Sequence, residues 1–106
     1  MTKMTGALSP EEALDRLLEI SADVRQGVIL DERGRRLAGS RALAGPAREL
    51  LEAVDAPEIE VATGRGGVFA VRSDGAAIVV VAHRSALPAL MLYDLRVVLG
   101  ETGAAS

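Results

Sequence analysis

The chain has no cysteine and no tryptophan, one histidine, one lysine and only two aromatic residues, Phe69 and Tyr93. Without cysteine there are no disulfides, no thiolate nucleophiles and no cysteine-based metal sites. A single imidazole, His83, excludes a metal centre built on several histidines. With so few aromatics, the core has to be assembled from Leu, Val, Ile and Ala. Long hydrophobic runs are missing too. The longest, Ala76 to Ala82, falls far short of the roughly twenty residues that a membrane span needs. Met1 to Leu8 carries one lysine and no apolar stretch fit for a signal peptide, so a cytoplasmic location is expected.

What is present fits one domain. The chain has 106 residues, 49% hydrophobic and 25% charged, which describes a globular protein rather than a disordered one. The domain is expected over residues 9–100, with 1–8 and 101–106 as flexible tails. A net charge of -3 argues against general nucleic-acid binding, which wants a basic face to neutralise phosphates. The charge is laid out in blocks. Glu11, Glu12, Asp15, Glu19 and Asp23 crowd the first segment, and Arg25, Arg33, Arg35, Arg36, Arg41 and Arg48 the next. Glu49, Glu52, Asp55, Glu58 and Glu60 follow with no base among them. Such alternation can steer a charged partner, or it can be no more than the solvated faces of two helices.

Ser9-Pro10-Glu11-Glu12 supplies an N-cap, a proline at the first helical position and a glutamate three residues after the cap. Leu14, Leu17 and Leu18 follow at helical spacing, which predicts an amphipathic helix. Val24 to Leu30 and Arg35 to Ser40 flank the polar turn Asp31-Glu32-Arg33-Gly34 and predict a β-hairpin. Its first strand is apolar on both faces and belongs inside a sheet, while the arginine-rich second strand suits an edge. Leu43, Ala47, Leu50, Leu51 and Val54 mark a second helix, whose regular part is expected to begin near Pro46. Glu58 to Thr63 alternates as a half-buried strand does. Gly64-Arg65-Gly66-Gly67 is expected as a turn, Val68 to Arg72 as the next strand, Ser73-Asp74-Gly75 as a turn, and Ala76 to Ala82 as the last strand. Ser85 is the expected cap of a final helix with Pro88 in its first turn and Gly100 at its end.

The predicted fold is therefore α+β, in the order α-β-β-α-β-β-β-α. The two runs that are apolar on both faces should be neighbours, giving a five-stranded antiparallel sheet ordered 2-1-5-4-3. The first and third helices would cover one face and the second helix the other.

Catalytic chemistry is poorly supplied. His83 and Ser85 pair a base with a nucleophile only superficially, since no carboxylate nearby orients them. Glu11 and Glu12 diverge around a helix, and capping accounts for them. The glycine-rich segment 64–67 joins two strands, whereas a phosphate loop leads into a helix N-terminus, and there is no G-x-x-x-x-G-K-[ST]. No catalytic residue, metal or cofactor is assigned. The stripe of the second helix can be core or a surface shared with another copy. The strand after it, with Ile59, Val61 and Thr63 in line, is an expected sheet edge open to pairing and partly guarded by Glu58 and Glu60.

Taken in order, these elements resemble the roadblock (dynein light chain) family over residues 11 to 99. The likeness rests on the hairpin from Gly27 to Ala38, with an apolar strand, Asp31, Gly34 and then Leu37-Ala38. It rests also on Val68-Phe69-Ala70-Val71-Arg72 and Leu92-Tyr93-Asp94-Leu95-Arg96. The near-exclusion of lysine in favour of arginine, with abundant Ala and Gly, points to a high-GC bacterial source. The resemblance implies a non-enzymatic homodimer that regulates or anchors a Ras-like small GTPase in trans, paired through the third strands with the second helices alongside. The dimer surface would then fall on Ile59, Val61 and Thr63, with Ala47, Leu50, Leu51 and Val54 nearby. The alternative is a profilin-like or PAS-like module that senses a small ligand, against which the shortage of aromatics counts.

Overall fold

The computed structural model describes residues 7–73, 75–84 and 86–102. Along the chain run α1 (Pro10–Ile20), β1 (Val24–Asp31), β2 (Arg36–Gly39), α2 (Arg41–Ala53), β3 (Glu58–Thr63), β4 (Gly66–Ser73), β5 (Ala76–His83) and α3 (Pro88–Gly100). The five strands form one antiparallel sheet in the order β2-β1-β5-β4-β3, the α+β arrangement that the sequence predicts.

The doubly apolar runs of β1 and β5 are neighbours, with Val28 opposite Val79 and Ile29 opposite Ile78. Side-chain alternation then sorts the core into two layers. Ile29, Ile78, Val80, Phe69 and Val71 pack with Leu14 and Leu17 of α1 and Met91, Leu95 and Val98 of α3. Val28, Leu30, Val79, Ala70 and Ile59 pack with Ala44 and Ala47 of α2. Each fully buried Val, Leu or Ile contributes about 1.5–3 kcal/mol by leaving water, so both layers are substantial without aromatic bulk.

Local signals set most of the boundaries. Ser9 Oγ accepts from the Glu12 amide at 3.1 Å, and Glu12 Oε1 accepts from the Ser9 amide at 3.0 Å, a reciprocal cap on α1. Just outside the expected bounds of 9–100, Leu8 bridges Thr102, and its amide donates to the Glu101 carbonyl at 2.7 Å. Three details differ from expectation. First, α2 does not wait for Pro46. It starts at Arg41, because Ser40 Oγ accepts from the Leu43 amide at 3.2 Å and donates to Gln26 Oε1 at 3.1 Å, which anchors the cap to β1. Pro46 sits inside the helix, held there by the burial of Ala44 and Ala47 on either side of it. Second, the N-cap of α3 is Leu87, with no side-chain cap bond. Third, the turn expected at 64–67 shrinks to Gly64-Arg65, since Gly66 and Gly67 already pair within β4. A Cβ on Gly66 would lie 2.0 Å from the Ala82 carbonyl oxygen, so that position needs glycine. The expected cap Ser85, the turn residue Asp74 and the tail residues 1–6 and 103–106 lie outside the described residues.

The β1–β2 turn is held by one carboxylate. Asp31 Oδ1 accepts from the Arg33 and Arg35 amides, each at 2.9 Å, and Arg35 Nε reaches Oδ2 at 2.8 Å. Gly34 takes the positive φ of +81° that the turn requires. The Arg35 amide, then the Arg35 side chain and the Arg33 amide, hold the Asp31 carboxyl below its ordinary range despite some desolvation.

The α2–β3 connection has its own clamp. Arg72 on β4 donates from Nε to the Ala56 carbonyl at 2.9 Å and from Nη2 to the Leu51 carbonyl at 2.8 Å and to that of Val54. Its amide donates to the Pro57 carbonyl at 2.8 Å. One guanidinium thus satisfies carbonyls at the end of α2, where they have no helical partner and where the helix dipole favours a cation.

Two outcomes are expected. A carboxyl whose pKa is lowered on folding stabilises above its unfolded pKa and stops doing so as pH falls through the folded value. Asp31→Asn should therefore melt below the parent at pH 7, with the gap closing at strongly acidic pH, as thermal unfolding at the two pH values will report. Arg72→Ala removes charge-assisted bonds from a half-buried site and should cost about 2 kcal/mol, read as a lower denaturant midpoint at unchanged m.

Candidate functional site

β3 is an outer strand of the sheet. The Arg72 amide bonds the Pro57 carbonyl, and Ile59 and Val61 stand opposite Ala70 and Val68. In an antiparallel ladder the alternate residues turn their backbone groups away, so Glu58, Glu60 and Ala62 direct N–H and C=O outward. Side chains alternate in the other sense. Ile59, Val61 and Thr63 share the α2 face, and Glu58, Glu60 and Ala62 the α3 face. Glu58 is paired with Arg96 of α3, whose guanidinium also lies 5.9 Å from the Tyr93 ring centroid. That ion pair takes one of the two guarding carboxylates out of play and leaves Glu60.

Beside the edge, on the α2 face, is a groove of about 180 Å³ lined only by Leu43, Pro46, Ala47, Leu50, Val61, Val68 and Val79. It exists because α2 crosses the β1 half of the sheet and leaves the β3–β4 half partly uncovered. Val61, 39% exposed, is its outermost wall.

The seven residues expected at a shared surface do not all fall together. Ala47 and Ile59 are buried within the domain and serve its own core. Ala47, Leu50 and Val61 meet in the groove. Thr63 is exposed at the end of β3. Leu51 lines a different cavity, of about 310 Å³, next to Asp31, Arg48 and Arg72. Val54 is the C-cap of α2, with its carbonyl given to Arg72. Sequence reasoning missed Leu43, Pro46 and Val68. Leu43 lies one turn before Ala47 on the same stripe. Val68 is placed opposite Val61 only by the two-residue turn, which a four-residue turn would have displaced. Pro46 signals a helix start in the sequence, whereas in the fold it lies inside α2 and walls the groove.

Of the pair His83 and Ser85, only His83 is among the described residues. His83 ends β5 exposed, with its amide donating to the Asp23 carbonyl at 2.8 Å. Among the described residues no three of His, Asp and Glu are grouped so as to hold a metal ion. No helix among them is long and apolar enough to cross a membrane.

No family model matches the chain, and no curated protein does. Solved structures do. A roadblock/LC7 domain from Streptomyces avermitilis superposes with a TM-score of 0.72 at 21% identity, covering 85% of this chain and 94% of that one. Profilin IB of Acanthamoeba castellanii gives 0.62 at 21% identity, with coverages of 87% and 94%. The gliding protein MglB of Thermus thermophilus gives 0.56 at 18% identity, with coverages of 97% and 94%. At such identities the likeness is one of fold, and the fold of this chain is that of the roadblock/LC7 domain.

Proposed function

We propose that the chain is a non-enzymatic regulator or scaffold of a small GTPase and acts as a homodimer joined through β3. The observation that carries the reading is the β3 edge itself, an unpaired row of backbone groups beside a wholly apolar groove. Pairing two such edges about a two-fold axis satisfies the outward N–H and C=O groups of Glu60 and Ala62. The same operation brings the two grooves toward each other and buries Val61, Val68 and Leu50 further. The roadblock fold supports the GTPase as the class of partner, through the resemblance already drawn from the hairpin at Gly27 to Ala38. A small-ligand sensor finds less support: the groove has apolar walls and no convergent polar group to orient a ligand.

Val61→Lys tests the assembly. Val61 is half out of its own core, so the variant should fold and keep its far-UV spectrum while placing a cation where the partner strand would lie. Light scattering behind size exclusion should show a dimer for the parent and a monomer for the variant. A parent that is monomeric at tens of micromolar, or a variant that stays dimeric, overturns the β3 pairing. Capture from source-cell lysate on the parent, in GTP-analogue and GDP lanes, should enrich a small GTPase in one lane. Its absence from both lanes overturns the partner class and leaves the dimer to be judged on its own.

A further inference from the structure

α3 is apolar on every side. Of its 13 residues only Asp94 and Arg96 are charged. Met91, Leu95, Val98 and Leu99 are spent on the core, yet the opposite side carries Leu90, 57% exposed, Tyr93, 55% exposed, and Val97. Spacings of three and four set these three in one ridge along the outside of the helix. A helix that is apolar all round belongs in a covered place. The outer sides of α1 and α2, with Glu12 and Glu19 on one and Glu49 and Glu52 on the other, carry charge instead.

α1 lies beside this ridge. Leu8, just before α1, bridges Thr102, just after α3, and Arg16 Nε meets Glu101 Oε1 at 3.1 Å. At the other end the Asp23 carbonyl accepts from the His83 amide, so the two helices run antiparallel. Ala13 and Leu17 of α1 share a layer with Leu95 and Val98. Ile20, half-exposed, continues the stripe of Ala13 and Leu17 and widens the apolar surface on the α1 side.

The charge next to the ridge is of one sign. Glu12, Asp15 and Glu19, again at spacings of three and four, form an exposed row along the outside of α1. None of them makes an ion pair among the described residues, and neither does half-buried Asp94 of α3. The one base on α1, Arg16, is engaged by Glu101, and on the far flank of the ridge Arg96 is engaged by Glu58.

That pattern selects the occupant. Whatever covers the ridge needs apolar side chains for Leu90, Tyr93 and Val97, and cations for the acid row beside them. The α1 and α3 helices of a second copy would bring more acid and only bases that are already engaged. An anionic lipid surface would be repelled by the same row.

We propose that the outer face of α3 and the acid row of α1 form a docking surface for an amphipathic helix of a partner protein. That helix is apolar along one stripe and carries Lys or Arg along one flank. It lies along α3, its stripe on Leu90, Tyr93 and Val97 and its cations over Glu12, Asp15 and Glu19. The surface is on the opposite face of the sheet from the α2 groove and depends on neither the β3 dimer nor a GTPase.

The probe is an acetylated and amidated peptide of two repeats of Leu-Ala-Gln-Leu-Lys-Ala-Gln, which sets leucines in one stripe and lysines on one flank. Its control has Glu in place of each Lys. Titrated into ¹⁵N-labelled full-length protein, the lysine peptide should shift the amides of Leu90, Tyr93, Val97, Asp15 and Glu19, with an affinity at least about tenfold above the control. In the double variant Asp15→Lys, Glu19→Lys, at exposed positions outside the capping pair Ser9 and Glu12, that preference should be lost. Leu90→Gln, also at an exposed position, should weaken the lysine peptide by about tenfold or more. Equal response to both peptides, no response, shifts confined to the β3 groove, or an unchanged preference in a folded double variant would each overturn the proposal. So would α3 shifts that grow with protein concentration alone, which make a second copy the occupant. Binding to phosphatidylserine vesicles by the parent and not by Leu90→Gln would overturn it in favour of a membrane.

Discussion

β5 is buried along nearly its whole length, and it can be so only if both faces of the sheet are covered. That requirement organises the molecule. Val79 needs a helix on one side, and Ile78 and Val80 need helices on the other. The chain supplies one helix between the two hairpin units and one at each end, so a three-layer arrangement follows with short connections. The coverage is unequal. Two helices share one face, and a single 13-residue helix has to serve the other. The groove beside Val61 is the part of that face α2 does not reach.

Most of this architecture could be read from the sequence because its signals are local and agree with one another. The capping box at Ser9, the turn at Asp31 to Gly34 and the run Ala76–Ala82 each point to one element type. The doubly apolar runs then dictate which strands are central. Local signals mislead where a tertiary contact outweighs a local preference. Pro46 argues for a helix start, yet Ser40 caps the helix earlier and Ala44 and Ala47 hold it down. Gly66 and Gly67 look like turn residues, yet one of them is glycine because the Ala82 carbonyl passes 2.0 Å from where a Cβ would be. The candidate site was visible only in part. A stripe of apolar residues on α2 does not tell which members are spent on the core. Ala47 and Ile59 are spent, and Val61 and Leu50 are left over. Arg72 was invisible as a clamp, because a cation one hairpin away from a helix end carries no sequence signal of the carbonyls it will meet.

The two edges of the sheet are handled differently. β3 is flanked by apolar side chains on one face and by carboxylates on the other, one of them occupied by Arg96. β2 is flanked by acid on one face and arginine on the other. The β3 ladder is regular along its length, whereas the β1–β2 ladder shifts register between Ile29 and Leu30, so the two edges do not present the same row of backbone groups.

The sheet order has a consequence for how the chain assembles. β3, β4 and β5 form a meander with two residues between successive strands, so every pairing within it is between near neighbours. β1 and β2 form a separate hairpin, and the seam between the two units joins residues such as Val28 and Val79, about fifty positions apart. Closing that span costs loop entropy before any apolar burial repays it. The meander can therefore organise ahead of the seam, and until β1 arrives, the strand destined for the centre of the sheet is itself an open apolar edge. In the interval between those two events the chain is most exposed to pairing with the wrong strand.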